Sequence, residues 1–460
     1  MMNAMSPLQP SQPESSVRMI RHLGERMNDP TWFVRLACIV AAIGLLVRLT
    51  VLAFFWSTWI WQSGMVHDDW NKLAINWVDS GTFGFSPGEP SVQRTPIFPL
   101  FEIPLYLFFG QQYAAWSIAL LLFDVCTSVL LMTLGNRLWG PRPALLAGIF
   151  YAVYLPIIYY SARIEQFTTV LPFAFLWFYL ISAWDLRASR QPHYVGLGLV
   201  SGILILSKPV YLPVVLGSAA MLLWLRRKDI DARFTATALT ITLLVASLMI
   251  APWAYRNYLV TDGRFIPVQS YFWQAVWQKF VLVELDTREG LRRPPGRMLE
   301  EILERRQHLL GSQDTTLTGA RKELYAETIF KDEVLARIRT DPASYVRNVL
   351  SNIWYFWVGA ENLQKMAGMA AMQIPLVGAA LVGLYYVIRY RQAYRLRFGF
   401  ALILILWAEY SLVFGWGRYS LDTVPVLAFA FGIGFDAWLT GRQRALSGSA
   451  SREHDVSSTS

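Results

Sequence analysis

The sequence predicts an all-α polytopic membrane protein. A bundle of about ten or more transmembrane helices should carry juxtamembrane helices and a small helical domain on its outer side. Three observations support this. Of 460 residues, 54% are hydrophobic and only 16% charged, whereas soluble domains are near a quarter charged. Apolar runs recur from residue 34 to residue 439. The net charge of +9 is spread over short Lys/Arg clusters between those runs, which is how helices are oriented in a bilayer and not how nucleic acid is gripped.

The elements follow in order. The first thirty residues are rich in Ser, Pro and Gln with Arg18, Arg21 and Arg26, so 1–30 is expected to be a cytosolic, disordered tail. The first apolar run, 34–56, is too long for a cleavable signal and is taken as a span. Residues 57–112 form a first outer loop. Further runs cover 113–134, 142–160, 165–184, 194–207, 209–225, 234–253, 367–388, 397–414 and 419–439. The runs 194–207 and 209–225 are shorter than the roughly 20 residues of a straight span, so they are expected to be half-helices broken at Lys208-Pro209.

Within 254–366, residues 297–340 carry the periodicity of two amphipathic helices joined by a polar turn at 311–318. Asp341-Pro342 punctuates them, and 343–358 with Trp354 and Trp357 reads as a helix lying in the interface. The aromatic run Tyr271–Trp277 is expected to anchor at the interface. Residues 441–460 form a second polar tail, expected to be cytosolic and disordered.

The cations set the topology. Arg137 and Arg142, Arg187 and Arg190, Arg226 to Lys228, Arg389 to Arg397, and Arg442 with Arg444 occupy every second connection, which should be cytosolic. The first loop, the Lys208 turn, 254–366 and Gly415–Tyr419 then all face outward, with both termini inside. Cys38 and Cys126 lie in apolar runs, so no disulfide framework is implied. No phosphate-binding glycine loop and no internal repeat is present.

The unusual polar residues collect on that outer side. The acidic pair Asp68-Asp69 is followed by LAINWVDSGTFGF and RTPIFPLF, then by SARIEQ, ILSKP, PWAYRNY and GRYSLDTVP. In this order the motifs resemble the GT-C membrane glycosyltransferases of the protein-mannosyltransferase/aminoarabinose-transferase-like family (glycosyltransferase family 39-like), over most of residues 34–439. The resemblance implies an inverting transfer of a sugar from a polyprenyl-phosphate-linked donor at the outer face of the membrane. The acceptor would be a glycan, lipid or protein hydroxyl, and the setting a bacterial inner membrane. It also implies a base in the first outer loop, here Asp68, with Asp69 the alternative.

The residue types suit that chemistry on their own terms. Displacing a phosphate from a sugar carbon needs a base for the acceptor proton and cations for the departing oxygens, while a phosphate leaves without a general acid. Adjacent acids on a helix cannot face one acceptor, so one of the pair should act; the competing reading is that the pair caps a helix. Arg94, Lys208, Arg256 and Arg418, with Tyr419 beside it, are the candidate donor-phosphate ligands, against simple snorkelling for Arg256 and Arg418. Glu165 should orient a cation or sugar hydroxyls, or pair with Arg163. Arg48, inside a span, should face the bundle interior, and Asp124 and Glu409 should each find a partner. His67 beside Asp68 makes a poor ligand set, so no metal or other cofactor is expected, with a divalent ion the less favoured alternative. The alternative function is a secondary transporter or flippase of lipid-linked sugars, which also tolerates buried charge and broken helices.

Overall fold

The computed structural model describes residues 29–61, 69–183, 191–226, 232–311, 317–389 and 396–457. Asp68 and His67, the tail 1–28, and the Arg187, Arg190, Arg227 and Lys228 clusters lie outside them. Among the described residues the chain is helical, and an isolated bridge between Ser86 and Glu89 is the extended pairing present.

Among the described residues five helices are long and apolar enough to cross a membrane: Pro30–Phe54, Tyr113–Trp139, Ala236–Val260, Leu363–Tyr386 and Gly417–Thr440. The run 142–160 is a bent pair, Pro141–Val153 and Leu155–Ser161, turned by 60°. Pro156 has no amide to continue the ladder, and it opens the second piece. Ile97–Phe109, Phe167–Ser182, Pro192–Ser207, Tyr211–Trp224 and Phe398–Leu412 are shorter apolar helices. The Lys208-Pro209 break falls as expected, between helices Gln191–Ser207 and Tyr211–Arg226.

In chain order, α1 is Pro30–Trp61, α2 Trp70–Ser80, α3 Ile97–Phe109 and α4 Tyr113–Trp139. The bent pair is α5 and α6, and α7 is Phe167–Ser182. α8 is Gln191–Ser207, α9 Tyr211–Arg226 and α10 Ala232–Val260. α11 is Phe272–Glu289, α12 Arg297–Leu310, α13 Gly319–Thr340 and α14 Pro342–Val358. α15 is Leu363–Arg389, α16 Arg397–Leu412 and α17 Val424–Ser457, the last preceded by a 3-10 turn Gly417–Thr423.

The principal core joins α1, α4, α5, α7 to α10 and α15 to α17 around Phe150, Phe175, Trp177, Phe178 and Phe429. Two spans meet where glycines let the backbones touch: a Cβ on Gly434 would stand 1.9 Å from Gly383 Cα. Arg48 does turn inward. Its Nε donates to Asp124 at 2.6 Å, and Tyr151 bonds the other oxygen of that carboxylate. The partner that Asp124 required is therefore Arg48, a buried pair whose charges balance in the bundle.

The described part of residues 261–362 is mostly helical and polar, and this polar unit packs beside the bundle. α11, α12 and α13 pack around Trp277, Phe280, Val281 and Phe330, and Glu284, Glu301 and Glu333 tie them with Arg288, Arg305 and Arg337. This corrects the reading of Tyr271–Trp277 as interface anchors. The run is the first turns of α11, whose period puts Trp273, Val276, Trp277 and Phe280 on one face covered by α13. Only Phe272 of the run is exposed.

α14 is turned as an interface helix should be. Val346, Leu350, Ile353 and Trp354 are exposed while Asn348 and Asn352 are fully buried. Trp357, however, points inward to Trp407. α17 continues helical to Ser457. The stretch RQRAL holds good helix formers, and no proline stops it.

Candidate active site at one end of the bundle

The first loop, the Lys208 break, the polar unit and the 3-10 turn meet at one end of the bundle. Thr95 Oγ1 donates to Ser207 O at 2.7 Å, which brings Arg94 and Lys208 onto adjacent segments. Lys208 Nζ reaches both oxygens of Asp422 at 2.9 Å, and Tyr410 Oη bonds the same carboxylate at 3.4 Å. Four residues earlier on the 3-10 turn, Arg418 faces the buried Glu165 at 3.7 Å. Two ion pairs, Lys208 with Asp422 and Arg418 with Glu165, therefore meet on the one 3-10 turn, and the Thr95–Ser207 bond sets the segment bearing Arg94 beside the first of them.

Each candidate has a definite setting. Arg94 stands among three rings, with its guanidinium carbon 4.9 Å from Tyr271, 5.4 Å from Trp70 and 5.9 Å from Phe85. Its Nε is buried without a hydrogen-bond partner among the described residues. Rings hold the plane of a guanidinium and leave its edge free for an oxyanion. Arg256 donates to Ser91 O at 2.6 Å and Phe83 O at 2.9 Å and stacks on Phe83 and Trp253. It clamps the first loop to α10 and does not snorkel. Lys208 is neutralised by Asp422, so its charge is committed inside the protein.

Glu165 meets Arg418, while Arg163 lies over Tyr159. Tyr419 stacks flat on Tyr410 at 4.5 Å, which fixes the turn that carries Arg418. Asp69 is the exception to this convergence. Its side chain is 58% exposed and pairs with Lys72 at 3.1 Å. It holds the N-cap position of α2 in the left-handed conformation, φ 56°, yet its side chain makes no capping bond. Among the described residues no group of three or more His, Cys, Asp or Glu side chains is arranged to hold a metal ion.

A cavity of about 650 Å³ opens beside this end, between α2, the 81–97 segment, α3, α8 and α10. Trp77, Phe83, Leu100, Leu206, Met249 and Trp253 give it apolar walls, and Arg256 is the one charged residue in its lining. A groove of that kind suits an apolar chain with an anion at its end.

Residues 93–254 match the family model "Dolichyl-phosphate-mannose-protein mannosyltransferase". The whole architecture is similar to that of the oligosaccharyltransferase of Archaeoglobus fulgidus in its apo form, at 14% identity and TM-score 0.54, covering 92% of this chain and 52% of that one. A structure of AglB from the same organism, in complex with an inhibitory peptide and a dolichol-phosphate, gives 15% identity, TM-score 0.51 and coverage of 91% and 52%. The chain has the GT-C glycosyltransferase fold. It spans about half the length of those archaeal enzymes. ArnT from Cupriavidus metallidurans bound to undecaprenyl phosphate is also similar, at 16% identity and TM-score 0.39, covering 88% of this chain and 78% of that one. No curated protein matches in sequence.

Two acids at this end of the GT-C bundle were not singled out by the sequence reading. Asp422 lies in GRYSLDTVP, where a carboxylate at the mouth of a span is itself the signal. Glu102 sits in IFPLFEIPLYLFF, fully buried, with neither oxygen bonded among the described residues. A lone acid in so apolar a helix was legible by the same rule.

Proposed function

We propose that the protein is an inverting glycosyltransferase that moves a sugar from a polyprenyl-phosphate-linked donor to an acceptor hydroxyl of a glycan, lipid or protein. The reaction takes place at the outer face of the membrane. The observation that carries this reading is the apolar cavity that has Arg256 in its lining and is walled by Pro90, Pro96 and Ile97, on either side of Arg94. In this reading the polyprenyl chain lies in the cavity and its phosphate is received by Arg94 and Arg418. The dolichol-phosphate in the archaeal AglB complex and the acceptor peptide tethered in another structure of the Archaeoglobus fulgidus oligosaccharyltransferase support a lipid phosphate and an acceptor as the two ligand classes.

In the transfer, the acceptor oxygen forms a bond to the anomeric carbon as the bond from that carbon to the phosphate oxygen breaks. The phosphate leaves with the electron pair, toward Arg94 and Arg418, whose forked donors match its oxygens. Asp68 takes the acceptor proton. Asp69 is poorly suited, since its carboxylate is exposed and held by Lys72. The pairs Lys208–Asp422 and Arg418–Glu165 fix the helix ends around the site. The membrane core is 31–253 with 367–440, and 254–366 governs the acceptor.

The decisive experiment supplies purified protein in vesicles with a polyprenyl-phosphate donor carrying a labelled sugar, and follows the label and the intact donor separately. Label should pass to an acceptor. Asp68→Asn should abolish that transfer in a folded chain, while Asp69→Asn should keep most of it. Movement of intact donor across the bilayer without transfer would make the protein a flippase, and activity in both Asn variants would remove the proposed base.

A further inference from the structure

Two residues before Arg94 the backbone is held unusually firmly. The amide of Val92 donates to a carboxylate oxygen of Glu323 on α13 at 2.7 Å, and its carbonyl accepts from Ser270 N at 2.8 Å. Val92 thus spends its backbone donor and acceptor on the polar unit, and its side chain is fully buried. Ser91 N bonds Phe83 O at 2.8 Å, and Ser91 O takes the bond from Arg256. Arg94 is two residues on, against Tyr271, which directly follows Ser270.

The polar unit grips this point rigidly. One turn after Glu323, Glu327 accepts from the amides of Trp273 and Gln274 at 3.0 and 3.1 Å, which fastens α13 to the start of α11. At the start of α13, Gly319 has φ +52°, and a Cβ there would stand 2.8 Å from Pro90 O. Only glycine lets the helix approach the first loop so closely.

We propose that Glu323 is a positioning residue for the donor phosphate: it holds Arg94 in its ring cage by pinning the backbone at Val92. This rests on the reading above that Arg94 meets that phosphate. Glu323 accepts from the Val92 amide and its carboxylate also faces Arg94 and Arg256; Glu323→Gln keeps the first interaction and removes the second. The polar unit, which governs the acceptor, thereby also sets the donor end.

The test is equilibrium binding of undecaprenyl phosphate to the full purified chain in nanodiscs, with thermal unfolding of each variant. Glu323→Ala should weaken binding at least tenfold. Glu323→Gln, which keeps an acceptor oxygen, should stay within about threefold of the native chain. Gly319→Ala keeps every other side chain and parts α13 from the loop, so it should weaken binding as Glu323→Ala does. It decides the matter if Glu323→Ala does not fold. Arg321→Ala, on the same helix as Glu323, removes an exposed pair with Asp262 of the turn after α10 and should leave binding unchanged. Native affinity in Glu323→Ala or in Gly319→Ala, or equal loss in Glu323→Gln and Glu323→Ala, would overturn the inference. Arg94→Ala separates the two readings. If it binds as the native chain does, the phosphate site itself is misassigned. If it alone is weakened, only the role of Glu323 falls.

Discussion

A single buried ammonium shows how the polar unit balances charge. Lys279 is fully buried, its Nζ lies 3.6 Å from the centre of the Tyr355 ring, and no hydrogen bond reaches it among the described residues. Asp286 and Arg293 are the charged groups that face it, and they are bonded to each other, with Asp286 also accepting from Tyr355 Oη at 2.5 Å. Burial therefore lowers the Lys279 ammonium from 10.5 to about 7, against the pull of Asp286. In the unfolded chain the group stays protonated up to its ordinary value. The folded state binds fewer protons between about 7 and 10.5, so stability rises with pH through that window and the penalty is fully present below it. Lys279→Met should raise the unfolding temperature by a few degrees near pH 6, with a gain that shrinks toward pH 9. A constant gain at every pH would show that Lys279 does not titrate there. Nothing in the sequence announced this residue: WQKFVLVE reads as one more lysine on an amphipathic helix, and only packing by α14 buries it.

At the scale of elements, what was legible follows from local chemistry. The Lys208-Pro209 break, the two helices of 297–340 and the Asp341-Pro342 start of α14 were all announced by proline or by period. Asp341 even caps α14, accepting from Ser344 N at 3.1 Å. The partners of charged side chains were not legible, because Arg48 meets Asp124 and Lys208 meets Asp422 across 76 and 214 residues of chain. The contact of α15 with α17 belongs to this class too. Gly434→Ala should cost about 1–3 kcal/mol, since two backbones must move apart, whereas Gly378→Ala on α15, with open space around it, should be neutral or stabilising by up to about 1 kcal/mol. Thermal unfolding of the two variants checks this, and equal effects would mean the helices do not touch at Gly434.

For the whole molecule the order of polar motifs carried the most information, since it brought Arg94, Lys208, Glu165, Arg256 and Arg418 to one end before any coordinate was known. The orientation of that end can be measured directly. In a chain with Cys38 and Cys126 changed to serine, Asp332→Cys on the polar unit should react with an impermeant maleimide in intact cells, and Arg137→Cys at the opposite end should not. The reverse pattern would turn the protein over in its membrane.

The charges described around the groove also bear on how a turnover would finish. Lys208 with Asp422 and Arg418 with Glu165 cancel, which leaves Arg94 and Arg256 against Glu323 and the proposed base Asp68. In the proposed transfer a phosphodiester with one negative charge becomes a monoester with about 1.5 to 2 near neutrality, while Asp68 gains the acceptor's proton. The total charge of the site is then unchanged at the moment of transfer, and an excess of negative charge arises only when that proton is lost to water.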